Sequence, residues 1–361
     1  MDDQVDLIAL EVYKTGGASA VFQSSACPQW NLGENTHSHS NSNSYMLQGR
    51  RNYQEDRTLC HLDLRIPFPG RTVTVGIAGV FDGHIGAEAS EMASKSILDY
   101  FLLHVHFQTL LRDQSDNSRW FHMDILKESL LMAIYDIDLI FSEEARRNNS
   151  LAGSTAVIVL IVDNHLLAVN VGDSKAILCS ETVKTLQDKR AARERFYRQR
   201  KSQGDSTKKY QPGPNHFSVM ELTRDHHPDR DDERSRIESL GGFVEESRVN
   251  GQLAVSRSIG DVPFKRYGVI SMPEVAEWRP LSANDTYLVV ASDGIFEKMT
   301  TKDVCDVLWD VYEGKLDSCK GSSLAEFVVN AAFESGSADN LSAIVVPLKS
   351  PSAKLDEKSE M

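Results

Sequence analysis

The strongest constraint in this sequence is a pair of apolar runs that read as buried strands. Residues 153–160 (GSTAVIVL) and 166–171 (LLAVNV) are rich in β-branched side chains, and Asp163-Asn164 between them supplies turn chemistry. Strands this apolar belong inside a layered fold. Residues 71–81 (RTVTVGIAGVF), 286–291 (TYLVVA) and 342–348 (SAIVVPL) read the same way, with a shorter strand at 175–179. Residues 87–111, 122–147, 301–312 and 322–333 carry apolar side chains at helical spacing. The helices come in pairs with blocks of strands between them. That order predicts antiparallel sheets covered by helices, an α+β class, and not a βαβ repeat.

The flanks differ in kind. Residues 1–45 contain the polar run His37-Ser38-His39-Ser40-Asn41-Ser42-Asn43-Ser44, which cannot bury a core, and they read as a weakly ordered segment. Residues 46–349 are the expected folded domain, and 350–361 a polar tail. Within the domain, 187–215 is a basic insertion; its 187–209 portion holds nine Lys/Arg against three Asp/Glu in a chain of net charge −13. It reads either as a solvated loop or as a docking patch for partners, acidic substrates or nuclear import. The acidic balance argues against nucleic acid as a main partner. No apolar run approaches the roughly 20 residues that span a bilayer. Five cysteines, odd in number and widely spaced without a CxxC, predict reduced thiols, no disulfide framework, no zinc site, and a cytoplasmic or nuclear location.

The chemistry lies in acidic residues placed where strands leave the core. Glu55-Asp56 follow Arg51, and Asp82-Gly83-His84 follows the strand ending at Phe81. Asp173 follows Val171-Gly172, Asp293-Gly294 follows the strand ending at Ala291, and Asp339-Asn340 precedes the strand starting at Ser342. A carboxylate in such a place is held rigidly yet reaches solvent. Several converging there would make the all-oxygen pocket that Mg²⁺ and Mn²⁺ prefer. A single Asp-Gly pair is ordinarily a turn; five strand-end sites in one chain are a much stronger coincidence. The adjoining glycines let backbone approach an ion and can offer it a carbonyl. Taken alone, His84 reads as a turn histidine bonded to a carboxylate or as a proton donor. Arg51 reads as a surface cation or an anion clamp.

Nine stretches give these residues a context. In order they are GRRNYQEDR (49–57), VFDGHIGAEAS (80–90), AGSTAVIVLI (152–161), VNVGDSKA (169–176), LTRDHHPDR (222–230), RIESLGG (236–242), VNGQLAVSRSIGD (249–261), ASDGIFEKM (291–299) and SADNLSAIVV (337–346). On them the chain resembles the protein phosphatase 2C type, the metal-dependent PPM phosphatases, from about Gly49 to Leu348. The resemblance implies a four-layer α-β-β-α sandwich of two antiparallel sheets flanked by helix pairs. It also implies two Mg²⁺ or Mn²⁺ ions per subunit between the sheets, with a weaker third.

By matching position, Asp82 would bridge both ions and Asp293 and Asp339 would hold one. The Gly83 carbonyl would bind the other, with Glu55 acting through a water and Asp56 supporting the shell. Asp173 matches the weaker third position. Asn340 and Gly294 are supporting positions beside their aspartates. Arg51 would clamp the substrate phosphate, and His84 would protonate the departing serine or threonine oxygen. Ser256, Arg257 and Asp261 read either as lining the site or, in preference, as braces of the flap beside it. The implied activity is hydrolysis of phosphoserine and phosphothreonine in proteins, by a monomer, through water activated between the ions and without a covalent phosphoenzyme. The alternative is a catalytically silent phosphatase fold that binds phosphoproteins.

Two other phosphatase chemistries fail on the residues. Asp82-x-His84 imitates the first motif of the calcineurin-like metallophosphoesterases, but their GDxxDR is absent: Ser174-Lys175-Ala176 follow Asp173. No cysteine has an arginine six positions later, so the CxxxxxR phosphate cradle is also missing.

Overall fold

Period-two alternation along the strands decides what fills each layer of this protein. A computed structural model describes residues 43–112, 120–182, 217–314 and 323–348. The basic insertion, the polar tail and residues 1–42 lie outside the described residues. One sheet contains β1 (Ser44–Leu47), β8 (Lys175–Glu181), β9 (Phe217–Glu221), β15 (Asp285–Ala291) and β16 (Leu341–Pro347), in the order β1-β16-β15-β8-β9. The other runs β13-β7-β6-β3-β2, from β2 (Arg57–Phe68), β3 (Arg71–Phe81), β6 (Ala156–Val162), β7 (His165–Val171) and β13 (Glu274–Val275), with β14 (Arg279–Pro280) also on β7. The strand pairs within both sheets are antiparallel.

Ala78, Val80, Val157, Val159, Leu178, Leu288, Val290 and Ile344 fill the space between the sheets. Their neighbours point the other way. Ile77, Phe81, Ile158 and Leu160 pack under α1 (Glu88–Leu111) and α2 (Phe121–Asn148). Ile177, Val289, Ala291 and Val345 pack under α6 (Thr301–Tyr312) and α7 (Leu324–Glu334). The architecture is the expected α-β-β-α sandwich. The Asp163-Asn164 turn also stands: both residues have left-handed φ, 45° and 62°, and Val162 pairs with His165 across it.

Three features differ from the sequence reading. Ser44 and Tyr45, placed in the weakly ordered segment, already pair with Ile344 and Ala343 in the sheet. The 12-residue β2 has no apolar run to announce it, because its first seven residues are only half-buried. The cysteines are not all thiols. Cys179 of β8 and Cys305 of α6 form a disulfide across 126 residues, with both side chains fully buried, and Cys60 is disulfide-bonded as well. Cysteine spacing cannot reveal that a sheet face and a covering helix meet at those two positions.

Antiparallel pairing also explains why the acidic residues meet. Arg57 pairs with Phe81, so the start of β2 lies beside the end of β3. Ala291 pairs with both Lys175 and Ala343, so the end of β15 lies beside the starts of β8 and β16. Asp56, Asp82, Asp173, Asp293 and Asp339 therefore emerge at one edge of the sandwich.

Beside that edge lies a smaller unit built from α3 (Asp231–Ser239), the two-residue strands β10 (Val244–Glu245), β11 (Arg248–Val249) and β12 (Ile259–Gly260), and α4 (Val262–Lys265). The fully buried Glu233 secures it, accepting from Arg257 (2.7 and 3.0 Å), Arg236 (2.5 and 2.8 Å) and Ser256 (2.5 Å). Burial alone would raise this carboxyl, but those donors hold it well below its usual range. Ser256 and Arg257 are thus braces, as the sequence reading has them.

The rigidity of the edge depends on the layers behind it. Ile134 of α2 is fully buried against the sheet. Ile134→Ala should lower the unfolding free energy by about 2–5 kcal/mol, measured by urea titration.

Candidate metal centre

Asp82 follows β3 directly, and its backbone is pinned on both sides. Its N–H donates to Thr155 Oγ1 at 3.1 Å, and its carbonyl accepts from the Thr155 N–H at 2.9 Å. Thr155 Oγ1 is itself bonded to Ser174 Oγ at 2.8 Å. Asp293 opens the short helix α5 (Asp293–Phe296) from the opposite sheet. The carboxyls of Asp82 and Asp293 lie close enough to act on each other, and both are pushed up, first by burial and then by neighbouring carboxylates. Gly294 is required here, because a Cβ would overlap the Asn340 carbonyl oxygen.

Asp56 lies behind this pair. It is buried, accepts from Ser292 Oγ at 2.8 Å through one oxygen, and has no partner on the other. Burial, with repulsion from Asp293 and Asp339, raises its carboxyl to about 7. Asp173, after β7, is also raised to about 7, by burial and then Asp293. Beside Asp173 are Asp225, bonded to Lys175, and His227. Asp339 accepts from its neighbour's amide, Asn340 N–H, at 2.7 Å and pairs with Arg51 Nη2 at 2.7 Å. The Arg51 side chain stays 57% exposed.

Asn340 closes the arrangement. Its amide donates to the carbonyls of Gln48 and Tyr53 at 2.8 and 2.9 Å, and its Oδ1 accepts from Glu55 N–H at 2.8 Å. One side chain thereby fixes the loop that carries Arg51 and Glu55. Glu55 Oε1 accepts from Gly86 N–H at 2.6 Å, which brings the loop to the segment after His84. Gly83 and His84 form the two-residue strand β4, paired with β5 (Gly153–Ser154). His84 Nε2 lies 2.7 Å from Asp261 Oδ2. Burial would lower the His84 pKa, but the Asp261 carboxylate overrides it and raises it.

All the residues singled out in the sequence therefore lie at one edge. Thr155, Ser292 and Asp225 were missed. A threonine interrupting an apolar strand and a serine just before Asp293 were the available signals. For Asp261 the sequence leaves lining the site and bracing the flap open, and its contact with His84 puts it in the site. His226 is structural: fully buried, bonded to Gly172, and lowered to about 4, chiefly by burial.

The donor set suits hard divalent cations. Among the described residues, no Lys or Arg forms an ion pair with Asp56, Asp82, Asp173 or Asp293. Their mutual repulsion and the orphaned oxygen of Asp56 ask for positive charge bound through oxygen. Among the described residues, no three acidic, imidazole or thiol groups already converge as a ready-made ligand cluster.

The family model for protein phosphatase 2C matches residues 41–341. The chain is 47% identical to the probable protein phosphatase 2C 51 of Arabidopsis thaliana, over 94% of this chain and 78% of that one. It is 46% identical to the putative protein phosphatase 2C 76 of Oryza sativa subsp. japonica, over 94% and 84%. In structure it resembles the serine-threonine phosphatase 2C from Toxoplasma gondii, with a TM-score of 0.63 at 21% identity over 85% of this chain and 94% of that one.

The raised carboxyls carry a pH signature. The unfolded chain releases the protons of Asp56 and Asp173 near 3.8, whereas the metal-free folded protein keeps them to about 7. Between those values the folded state binds more protons, so its stability falls as pH rises, by an amount on the order of a few kcal/mol. The melting temperature of chelator-treated protein should drop between pH 5 and pH 7.5. Mn²⁺ should restore it at pH 7.5 and change it little at pH 5. A flat or rising profile without metal would contradict the placement of these charges.

Proposed function

The chain belongs to the protein phosphatase 2C family and is a serine/threonine phosphatase; we propose that it removes phosphate from phosphoserine and phosphothreonine in proteins with divalent cations held by the carboxylate edge. The observation that carries this reading is the contact between Asp82 and Asp293. They come from opposite sheets, act directly on each other among further carboxylates, and among the described residues neither forms an ion pair with a Lys or Arg.

Asp82, Asp293 and Asp339 would hold the ions, with the Gly83 carbonyl and, through water, Glu55. Asp56 would support this shell from behind, and Asp173 would hold a weaker third ion. When bound, Mg²⁺ or Mn²⁺ supplies charge opposite the phosphate oxygens and lowers the pKa of a coordinated water from about 15.7 toward neutrality. Arg51, oriented by Asp339 and still open to solvent, offers a planar fork of donors to the phosphate. Asn340 keeps that arginine and Glu55 in register with Asp339. His84 supplies a proton to the serine or threonine oxygen, a poor leaving group as an alkoxide. Burial would lower its pKa, but the neighbouring Asp261 carboxylate raises it and so favours the charged ring.

Asp82→Asn and Asp293→Asn should each reduce phosphoserine-peptide turnover in saturating Mn²⁺ by more than about 100-fold. The melting temperature of the metal-free variants at pH 7.5 should match or exceed that of the parent, because each removes a repelling charge at nearly constant volume. Full activity with chelator present would sink the metal-dependent reading. Binding without turnover by the parent in Mn²⁺ would favour a silent phosphoprotein-binding fold. Arg51→Lys keeps the charge and loses the fork, so KM for phosphopeptide should rise by about tenfold with a smaller change in kcat.

A further inference from the structure

His84 and Asp261 stand 177 residues apart in sequence, and a three-stranded ribbon brings them together. His84 pairs with Gly153 across β4 and β5, and Gly153 pairs with Gly260 across β5 and β12. Asp261 follows directly, with its N–H donating to the Ala152 carbonyl at 3.1 Å. The result is the 2.7 Å contact between His84 Nε2 and Asp261 Oδ2.

Three independent features show that this contact is specified. Gly153 leaves the room for it: a Cβ there would overlap both the Asp261 carboxylate and His84 Nε2. Asp261 adopts a left-handed φ of 50°, a conformation that is unfavourable for a non-glycine residue. Its carboxylate is fully buried, yet Oδ1 has no hydrogen-bond partner among the described residues. A carboxylate retained only to brace the backbone would have both oxygens bonded. Here the one side-chain partner is His84.

The nearby cations are engaged elsewhere. Lys265 bonds Asp138 and the Ser258 carbonyl, and Arg257 bonds Glu233. The Asp261 charge therefore acts mainly on the histidine. No described residue hydrogen-bonds His84 Nδ1, and the side chain is 26% exposed.

We propose that Asp261 is the positioning residue for His84: its carboxylate grips the ring at Nε2 and leaves Nδ1 to carry the proton for the departing serine or threonine oxygen. The inference rests on His84 acting as the general acid. As water adds to phosphorus and the bond to the seryl oxygen breaks, its electron pair stays on that oxygen, which takes the Nδ1 proton. The ring is left neutral with Nε2–H still on Asp261, and solvent reprotonates Nδ1.

The test compares a phosphoserine peptide, whose leaving oxygen needs a proton, with p-nitrophenyl phosphate, whose leaving group does not. His84→Ala, Asp261→Asn and the double variant are assayed in saturating Mn²⁺. Asp261→Asn should slow the peptide by about 10–100-fold and the nitrophenyl ester by less than about threefold. The double variant should be no slower on the peptide than His84→Ala alone, since both changes remove one device. A selective loss in His84→Ala with an equal loss on both substrates in Asp261→Asn, or multiplied losses in the double variant, overturns the positioning role and leaves the general acid standing. Equal losses in His84→Ala overturn the general acid and the positioning role with it.

¹⁵N NMR of the unsubstituted protein gives a readout that needs no variant to fold. The neutral His84 ring should carry its proton on Nε2, and a neutral ring protonated on Nδ1 overturns the proposal.

Discussion

Repulsion between carboxylates that two sheets force together governs this structure. Asp82 leaves one sheet and Asp293 the other, and neither can retreat, because each is continuous with a strand buried on both faces. Two like charges 4 Å apart repel by about 4 kcal/mol at an effective dielectric of 20. A domain whose net stability is roughly 5–15 kcal/mol cannot carry several such pairs uncompensated. Burial first, and this repulsion after it, raises the pKa values of Asp56, Asp82, Asp173 and Asp293, so that the edge can hold protons in place of ions. Metal and proton compete for the same carboxylates, so ion affinity and pH are coupled at this edge.

A second buried carboxylate shows that the conflict is local. Glu233 is as deeply buried as any of these aspartates, yet Arg236, Arg257 and Ser256 satisfy it and hold it ionised. It acts as a bolt for the unit that carries Asp261. At the sandwich edge Asp56 receives the neutral donor Ser292 instead, and among the described residues Asp339 alone of these aspartates pairs with a Lys or Arg, the largely exposed Arg51. Neutral donors fix geometry without cancelling charge. The difference between a structural carboxylate and a ligand-ready one therefore lies in the charge of its partners, not in its burial.

The fold was legible wherever burial was strong. The strand at 71–81 and the helix at 301–312 were read to the residue, because an apolar, β-branched run marks the one and apolar side chains at helical spacing the other. The strand Arg57–Phe68 escaped because half-burial mixes polar and apolar residues along it. The acidic residues of the edge were legible as strand-end residues, since a chain leaving a buried strand has few places to put a carboxylate. What pairs with what was not legible. The Asp261 contact with His84 and the Cys179–Cys305 disulfide join segments 177 and 126 residues apart, and neither leaves a local trace in spacing or composition.

Charge at the edge also orders the events of binding. A phosphate monoester is itself an anion, and the carboxylates that face it repel it as strongly as they repel one another. Arg51 cannot reverse that field alone, because it is already paired with Asp339 and more than half exposed, where solvent weakens its pull. Only when the carboxylates are neutralised does the edge turn from repelling a phosphate to attracting one. Substrate affinity is then a property of the ion-loaded edge, and the guanidinium supplies orientation more than attraction. Asn340, the residue next to Asp339, ties down the loop carrying Arg51. A shift of Asp339 on ion binding would thus carry the phosphate clamp with it, joining the two binding events through one side chain.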